Sequence, residues 1–231
     1  FSPDDGRHRE QEWDSPLSIA RKGFPGWHIE CSAIIKTVLG DTIDIHTGGI
    51  DHIPVHHTNE IAQSTCANDA QLARFWLHAA FMNVDGEKMS KSLGNTHRLG
   101  DLYERGIPPL AFRYWLLTAH YRTQVNFTWE ALAGAQTAYN RLTNFFVENR
   151  DEDGVVLPRY MAEFESALND DLNTASAIGL IWTLLKDTTT AAREKRATLL
   201  EFDKVLGLGL LNVTERKHVP VSDEIQTLVE A

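Results

Sequence analysis

The pattern of apolar and polar positions divides the chain into two styles. Up to about Asn95, short apolar runs alternate with glycine and proline breaks. Residues 29–39 carry apolar positions at helical spacing and are closed by Gly40, which predicts a helix. Thr42-Ile43-Asp44-Ile45-His46 alternates like a short strand, with Gly48-Gly49 expected to break it. A second helix is predicted from His56 to about Ala70. Residues 73–84 are apolar and aromatic enough for a strand that leads into an Asp85-Gly86 turn. Strand, glycine turn and helix in this order suit an open α/β sheet, where ligands sit at the carboxyl ends of strands. Residues 1–23, punctuated by Pro3, Gly6, Pro16 and Gly23, read as irregular.

Beyond Asn95 the periodicity becomes helical. Pro108-Pro109 opens a helix through Leu110, Phe112, Trp115 and Leu116, since proline is tolerated in a first turn. Thr128 is a candidate N-cap for a helix running to about Asn149. Asp151-Glu152-Asp153-Gly154 is a charged break. Apolar helical runs at 160–168, 175–185 and 197–206 predict a bundle whose stripes face its own core.

Composition narrows the classes. The chain has 231 residues, 42% of them hydrophobic, enough for one large or two small domains. A net charge of −10 argues against a protein that coats nucleic acid generally, while leaving room for a local basic strip. The two cysteines, Cys31 and Cys66, cannot build a disulfide framework, and their separation is no redox motif; a reducing, cytoplasmic setting follows. Cys66 reads as a buried helix cysteine. The first dozen residues are polar, so neither a signal peptide nor a membrane span is expected, and a start at Phe1 suggests a cut through a longer protein.

Three clusters carry candidate chemistry. Lys88-Met89-Ser90-Lys91-Ser92, set between Gly86 and Gly94, makes a cationic, hydrogen-bonding arm suited to a nucleotide triphosphate; lysine supplies point charge and serine a donor. On the pentapeptide alone, a solvated lysine turn explains it equally well. Gly48-Gly49-Ile50-Asp51 lets backbone approach a flat adenine or ribose and offers a carboxylate to ribose hydroxyls, although Gly-Gly alone indicates only a turn. His56 and Glu60 fall one helical turn apart on one face, and Cys31 could add a thiolate from a separate helix. Imidazole, carboxylate and thiolate together favour zinc. The plainer reading is surface polar chemistry beside a small buried cysteine.

Taken together, these segments resemble the cysteinyl-tRNA synthetases, which are class I aminoacyl-tRNA synthetases. The resemblance rests on Pro25-Gly26-Trp27-His28-Ile29-Glu30-Cys31-Ser32, Asp44-Ile45-His46-Thr47-Gly48-Gly49-Ile50-Asp51, His56-His57-Thr58-Asn59-Glu60-Ile61-Ala62-Gln63 and the lysine pentapeptide, in matching order and spacing. It covers about Trp13 to Leu211. It implies an α/β fold, the second half of a Rossmann-like class I catalytic domain, followed by an all-α helical bundle. The expected division is 1–100 for the catalytic half, 101–150 for a connecting helical region and 151–231 for an anticodon-binding region. Asn169-Asp170-Asp171-Leu172-Asn173 and Leu206-Gly207-Leu208-Gly209 match that last region.

The resemblance also implies roles. Cys31, His56 and Glu60 are zinc ligands, with a fourth, a cysteine, in an N-terminal half that this chain does not contain. Trp27 and His46 line the amino-acid pocket. Gly48, Gly49 and Asp51 contact adenosine, and Lys88, Ser90 and Lys91 bind the phosphates of ATP, with Mg2+. Lys88 and Lys91 are the catalytic pair that stabilises departing pyrophosphate. The implied reaction joins cysteine to cysteine tRNA through cysteinyl-adenylate, and a monomer is expected. The His-x-Gly-His segment of class I synthetases does not occur here, so residues 1–231 alone are expected not to catalyse adenylation. Thr58 stands where the family commonly has Glu, and Ile53-Pro54-Val55 where Phe-Pro is common. Two other readings fit: a ligase joining cysteine to an amino sugar in mycothiol synthesis, and a non-catalytic tRNA-binding paralogue.

Overall fold

The computed structural model describes residues 11–14, 22–23, 25–90, 92–150 and 153–213. Lys91, Asp151, Glu152 and most of residues 1–23 lie outside them. The chain forms two compact units, one of residues 1–82 with 121–125, the other of 83–120 with 126–231.

The first unit is a small α/β layer. Strands β1 (Trp13–Asp14) and β2 (Lys22–Gly23) pair antiparallel, so the region expected to be irregular holds at least this ladder. Helix α1 (His28–Val38) matches its expectation. It ends at Leu39, and Gly40 takes a positive φ of 102° that a side chain would resist. Strand β3 (Ile43–Gly49) is longer than expected: Gly48 and Gly49 do not break it but pair with His78 and Ala79. A 3-10 turn (Ile50–His52) and a π turn (Ile53–His57) then precede α2 (Thr58–Asn68). The second helix therefore begins two residues later than the apolar pattern indicates, because Pro54 sits in the wider turn.

Strand β4 (Ala73–Ala79) runs parallel to β3, making a βαβ unit with α2 as its crossover. The register sets His46 opposite Trp76 and Gly48 opposite His78. Strands alternate sides, so these four share the face that α2 covers, with His46 bonded to Glu60 of α2. On the other face Ile45 and Phe75 are opposite one another and exposed. Cys66, expected to be buried, is exposed on α2. The apolar run 73–84 is two strands, β4 and β5 (Met82–Val84), separated by Ala80 and Phe81.

The second unit begins with a three-stranded sheet ordered β6-β5-β7, where β6 is Glu87–Lys88 and β7 is Val125–Phe127. Asp85 and Gly86, at φ 51° and 85°, make the tight hairpin turn that joins β5 to β6. Helix α3 (Leu99–Glu104) was not legible in the apolar pattern; Asp101 starts it by accepting from the Arg98 N–H at 2.9 Å. Helix α4 (Pro109–Leu117) follows the proline pair. In α5 (Trp129–Glu148), Thr128 Oγ1 accepts from the Ala131 N–H at 3.0 Å, the expected N-cap.

Helices α6 (Pro158–Asn169), α7 (Thr174–Lys186) and α8 (Ala192–Leu206) pack around Phe164, Ile181, Leu184, Leu199 and Phe202, all fully buried. Phe164 and Phe202 stack face to face with centroids 4.0 Å apart. The stripes are core, as their period indicates. After α8, Gly207 and Gly209 adopt left-handed φ, and Asp203 accepts from the Leu208 and Leu210 N–H groups at 2.5 and 2.7 Å. No described helix is long and apolar enough to cross a membrane.

Candidate functional site

In the first unit, α1, the π turn, α2 and the inner face of β3 and β4 converge on one carboxylate. Glu60 is fully buried. Its Oε2 accepts from His46 Nε2 at 2.9 Å and lies 3.6 Å from His56 Nε2 and 3.8 Å from His57 Nε2. Its Oε1 has no hydrogen-bond partner among the described residues. A buried carboxylate oxygen without a donor is costly, and such groups are normally paired or bound to a metal.

The structure brings Cys31, His56 and Glu60 together: one ligand atom from each lies within 4.8 Å of the others. A tetrahedral zinc with bonds of 2.0–2.3 Å holds its donors about 3.3–3.7 Å apart, so modest closure around an ion satisfies all three. His56 Nδ1 is 2.8 Å from His28 Nδ1, which fixes the ring and leaves Nε2 toward Glu60. A second residue orienting a ligating imidazole in this way is usual in metal sites. The donor set and the orphaned oxygen fit zinc.

Electrostatics agree with that fit. Burial pushes the Cys31 thiol up, and the Glu60 and Glu30 carboxylates push it further the same way. A cation among these groups would reverse that effect and draw out the thiolate. Burial lowers His56 against an opposing pull from Glu60, with neighbouring imidazoles adding to the lowering. His57 is lowered to about 4, first by burial and then by His46. Both shifts favour the neutral ring, the form that ligates metal.

The indole of Trp27 stacks on His56 with centroids 3.5 Å apart and planes 9° apart, yet Trp27 is 51% exposed. It is the residue at the start of α1, and one face of its indole rests on the His56 imidazole. His46 is half-buried beside Trp76 and Glu60. Sequence reasoning named His46 as a lining of the amino-acid pocket and missed His78, whose Nε2 is 2.7 Å from His57 Nδ1. Only the β3–β4 register reveals it.

Gly48 and Gly49 lie at the carboxyl end of β3, with Asp51 exposed in the turn beyond. Gly48 has a local reason for lacking a side chain: a Cβ there would meet the His57 and His52 rings at 2.6–2.9 Å. In the second unit, Lys88 is exposed in β6, opposite Asn83. The loop after it is tied down rather than free. The Ser90 N–H donates to Asn95 Oδ1 at 2.8 Å, Asn95 Nδ2 donates to the Lys88 carbonyl at 3.2 Å, and Ser90 Oγ accepts from the Leu93 N–H at 3.3 Å. Lys91 lies outside the described residues.

A parallel βαβ layer with buried metal-type donors, followed by a helical bundle, is the arrangement of a class I synthetase catalytic core with an appended helical domain. The chain belongs to this family: the model for the "tRNA synthetases class I (C) catalytic domain" matches residues 5–137, more than half of the chain, and the "DALR domain" model matches 163–211.

The curated relatives are cysteine–tRNA ligases. Cysteine–tRNA ligase 1 of Burkholderia lata is 47% identical over 100% of this chain and 47% of its own length. The ligase of Opitutus terrae is 43% identical over 99% of this chain and 48% of its own length. That of Trichodesmium erythraeum is 40% identical over 96% and 53%. The chain thus spans about half the length of the curated relatives it matches. Among solved structures, a LeuRS of Agrobacterium radiobacter in ternary complex with tRNA and LeuAMS shares the fold, with a TM-score of 0.63 over 87% of this chain and 32% of that one, at 15% identity.

Proposed function

We propose that this chain is part of a cysteine–tRNA ligase, which activates L-cysteine with ATP to cysteinyl-adenylate and transfers the cysteine to cysteine tRNA. The observation that carries the reading is the convergence of half-buried Cys31 with buried His56 and Glu60, and the orphaned carboxylate oxygen among them. Zinc bound there would take the substrate thiolate as a ligand in preference to a neutral hydroxyl. Serine and cysteine are nearly isosteric, and packing with ordinary hydrogen bonds separates such pairs poorly.

Trp27 walls the amino-acid pocket with its open face, and His46 faces the substrate from β3. Gly48, Gly49 and Asp51 receive adenosine. Lys88, Ser90 and Lys91 hold the phosphates of ATP, with Mg2+, and the two lysines stabilise pyrophosphate as it leaves. The bonds around Ser90 support a preformed backbone at that residue. The helices of residues 153–213 contact the tRNA, and the match to the DALR domain favours the tRNA ligase over the amino-sugar ligase. The protein acts in the cytoplasm as a monomer.

The test is cysteinylation of cysteine tRNA by the full-length protein, followed by ATP–pyrophosphate exchange with cysteine and with serine. Charging and a strong preference for cysteine are expected. Comparable activation of serine overturns the zinc role, and failure to charge cysteine tRNA overturns the ligase reading. The 231-residue chain alone is expected to show no cysteine-dependent exchange.

A further inference from the structure

We propose a second divalent-metal position in the first unit, formed by His46 Nε2, His57 Nε2 and Glu60, beside the Cys31 site and sharing its carboxylate. One ligand atom from each of these three residues lies within 4.8 Å of the others, the same closeness as in the cysteine-containing set. Glu60 Oε2 lies 2.9 Å from His46 Nε2 and 3.6 Å from the first-site His56 Nε2, so the carboxylate is common to both sets, and its Oε1 has no hydrogen-bond partner among the described residues. A carboxylate bridging two ions about 3.5–4 Å apart is an established arrangement.

The supporting residues repeat those of the first site. His78 Nε2 holds His57 Nδ1 at 2.7 Å, just as His28 holds His56. With Nδ1 engaged there, His57 directs Nε2 at Glu60, 3.8 Å away, a gap too long for a hydrogen bond and open to an ion. Gly48 makes the placement possible, because any Cβ on it would collide with the His57 ring. On metal binding, the His46 ring proton passes from Nε2 to Nδ1, and the ion takes the place of the hydrogen bond to Glu60. Two imidazoles and a carboxylate suit zinc, cobalt or nickel, and lack the soft thiolate of the first site. The proposal shares Glu60 with the zinc reading above but does not rest on catalysis.

Titration of the 231-residue chain with Co2+ separates the two positions. The first site should give a thiolate-to-cobalt charge-transfer band in the near ultraviolet, and the second only weak visible ligand-field bands. Two equivalents are expected. Cys31→Ser should abolish the charge-transfer band and retain one equivalent. His46→Asn should keep the band and weaken the other equivalent about 10-fold or more, by analogy with losses at supporting residues. His46 is half-buried on a strand and holds the buried Glu60, so unchanged far-ultraviolet circular dichroism is required of the variant, and His57→Gln provides an independent one. A single equivalent in the native chain overturns the proposal, as does a second equivalent insensitive to both histidine variants. Absence of the charge-transfer band with a histidine-dependent equivalent present would instead refute the Cys31 site alone.

Discussion

Gly48→Ala isolates the packing that holds the histidine cluster. The added methyl would sit 2.6 Å from His57 Cε1, 2.7 Å from His52 Nδ1 and 2.9 Å from His57 Nε2. Comfortable carbon contacts lie near 3.5–4.0 Å, so the His57 ring must retreat by about 1 Å. It has little room, being 97% buried and bonded to His78 at 2.7 Å. Overpacking of this kind costs about 1–3 kcal/mol, and losing the His57–His78 bond adds roughly 1 kcal/mol. A total of about 2–4 kcal/mol is therefore expected from urea unfolding monitored by tryptophan fluorescence. Gly100→Ala is the matched control. It lies within α3, has open space where a Cβ would go, and should stabilise by about 0.4–1 kcal/mol. A loss at Gly48 below about 0.5 kcal/mol would refute the claim that His57 is pinned against β3.

Other substitutions test separate parts of the structure. Cys31→Ser should weaken zinc binding by roughly 100-fold or more, beyond the losses seen at outer-shell residues, as read by competition with a chromophoric chelator. Asp203→Asn should cost about 1.5–3 kcal/mol in urea unfolding, because the carboxylate receives two backbone N–H groups after α8. Asp187 is held well below the usual carboxylate range by the Thr189 hydroxyl and N–H, then the Thr190 hydroxyl, with Tyr160 assisting. A depressed folded-state pKa gives stability that is present above the ordinary carboxylate pKa and lost as pH falls below about 4. Asp187→Asn should therefore flatten the acid limb of the stability profile, measured as urea midpoints from pH 2 to 7. Phe164→Ala and Phe202→Ala together should show a coupling of about 0.5–1.5 kcal/mol in a double-mutant cycle, from their stacked rings.

Local periodicity made much of this molecule legible. The 3.6-residue repeat placed His56 and Glu60 on one face, and Thr128 announced α5 through the chemistry of its hydroxyl. The centre around Glu60 was only half visible. His46 and His78 enter through the parallel register of β3 and β4, in which residues about 30 positions apart become neighbours, and no local pattern encodes that. Helix α3 escaped because its start depends on a backbone-to-Asp101 bond rather than on an apolar stripe. The glycine pair misled in a different way. Gly48-Gly49 looks like a chain break, yet it continues β3, since the missing side chain makes room for an imidazole instead of a bend.

The stack of Trp27 on His56 has an optical consequence. An indole in face-to-face contact with an imidazole can transfer charge to it when excited, so its emission responds to whatever binds the opposite edge of the ring. The chain thus has an intrinsic dye beside the first-site imidazole, with its outer face open to solvent. In a variant that keeps Trp27 as its one tryptophan out of six, occupancy by an ion and arrival of a small molecule over the indole become two distinguishable fluorescence events.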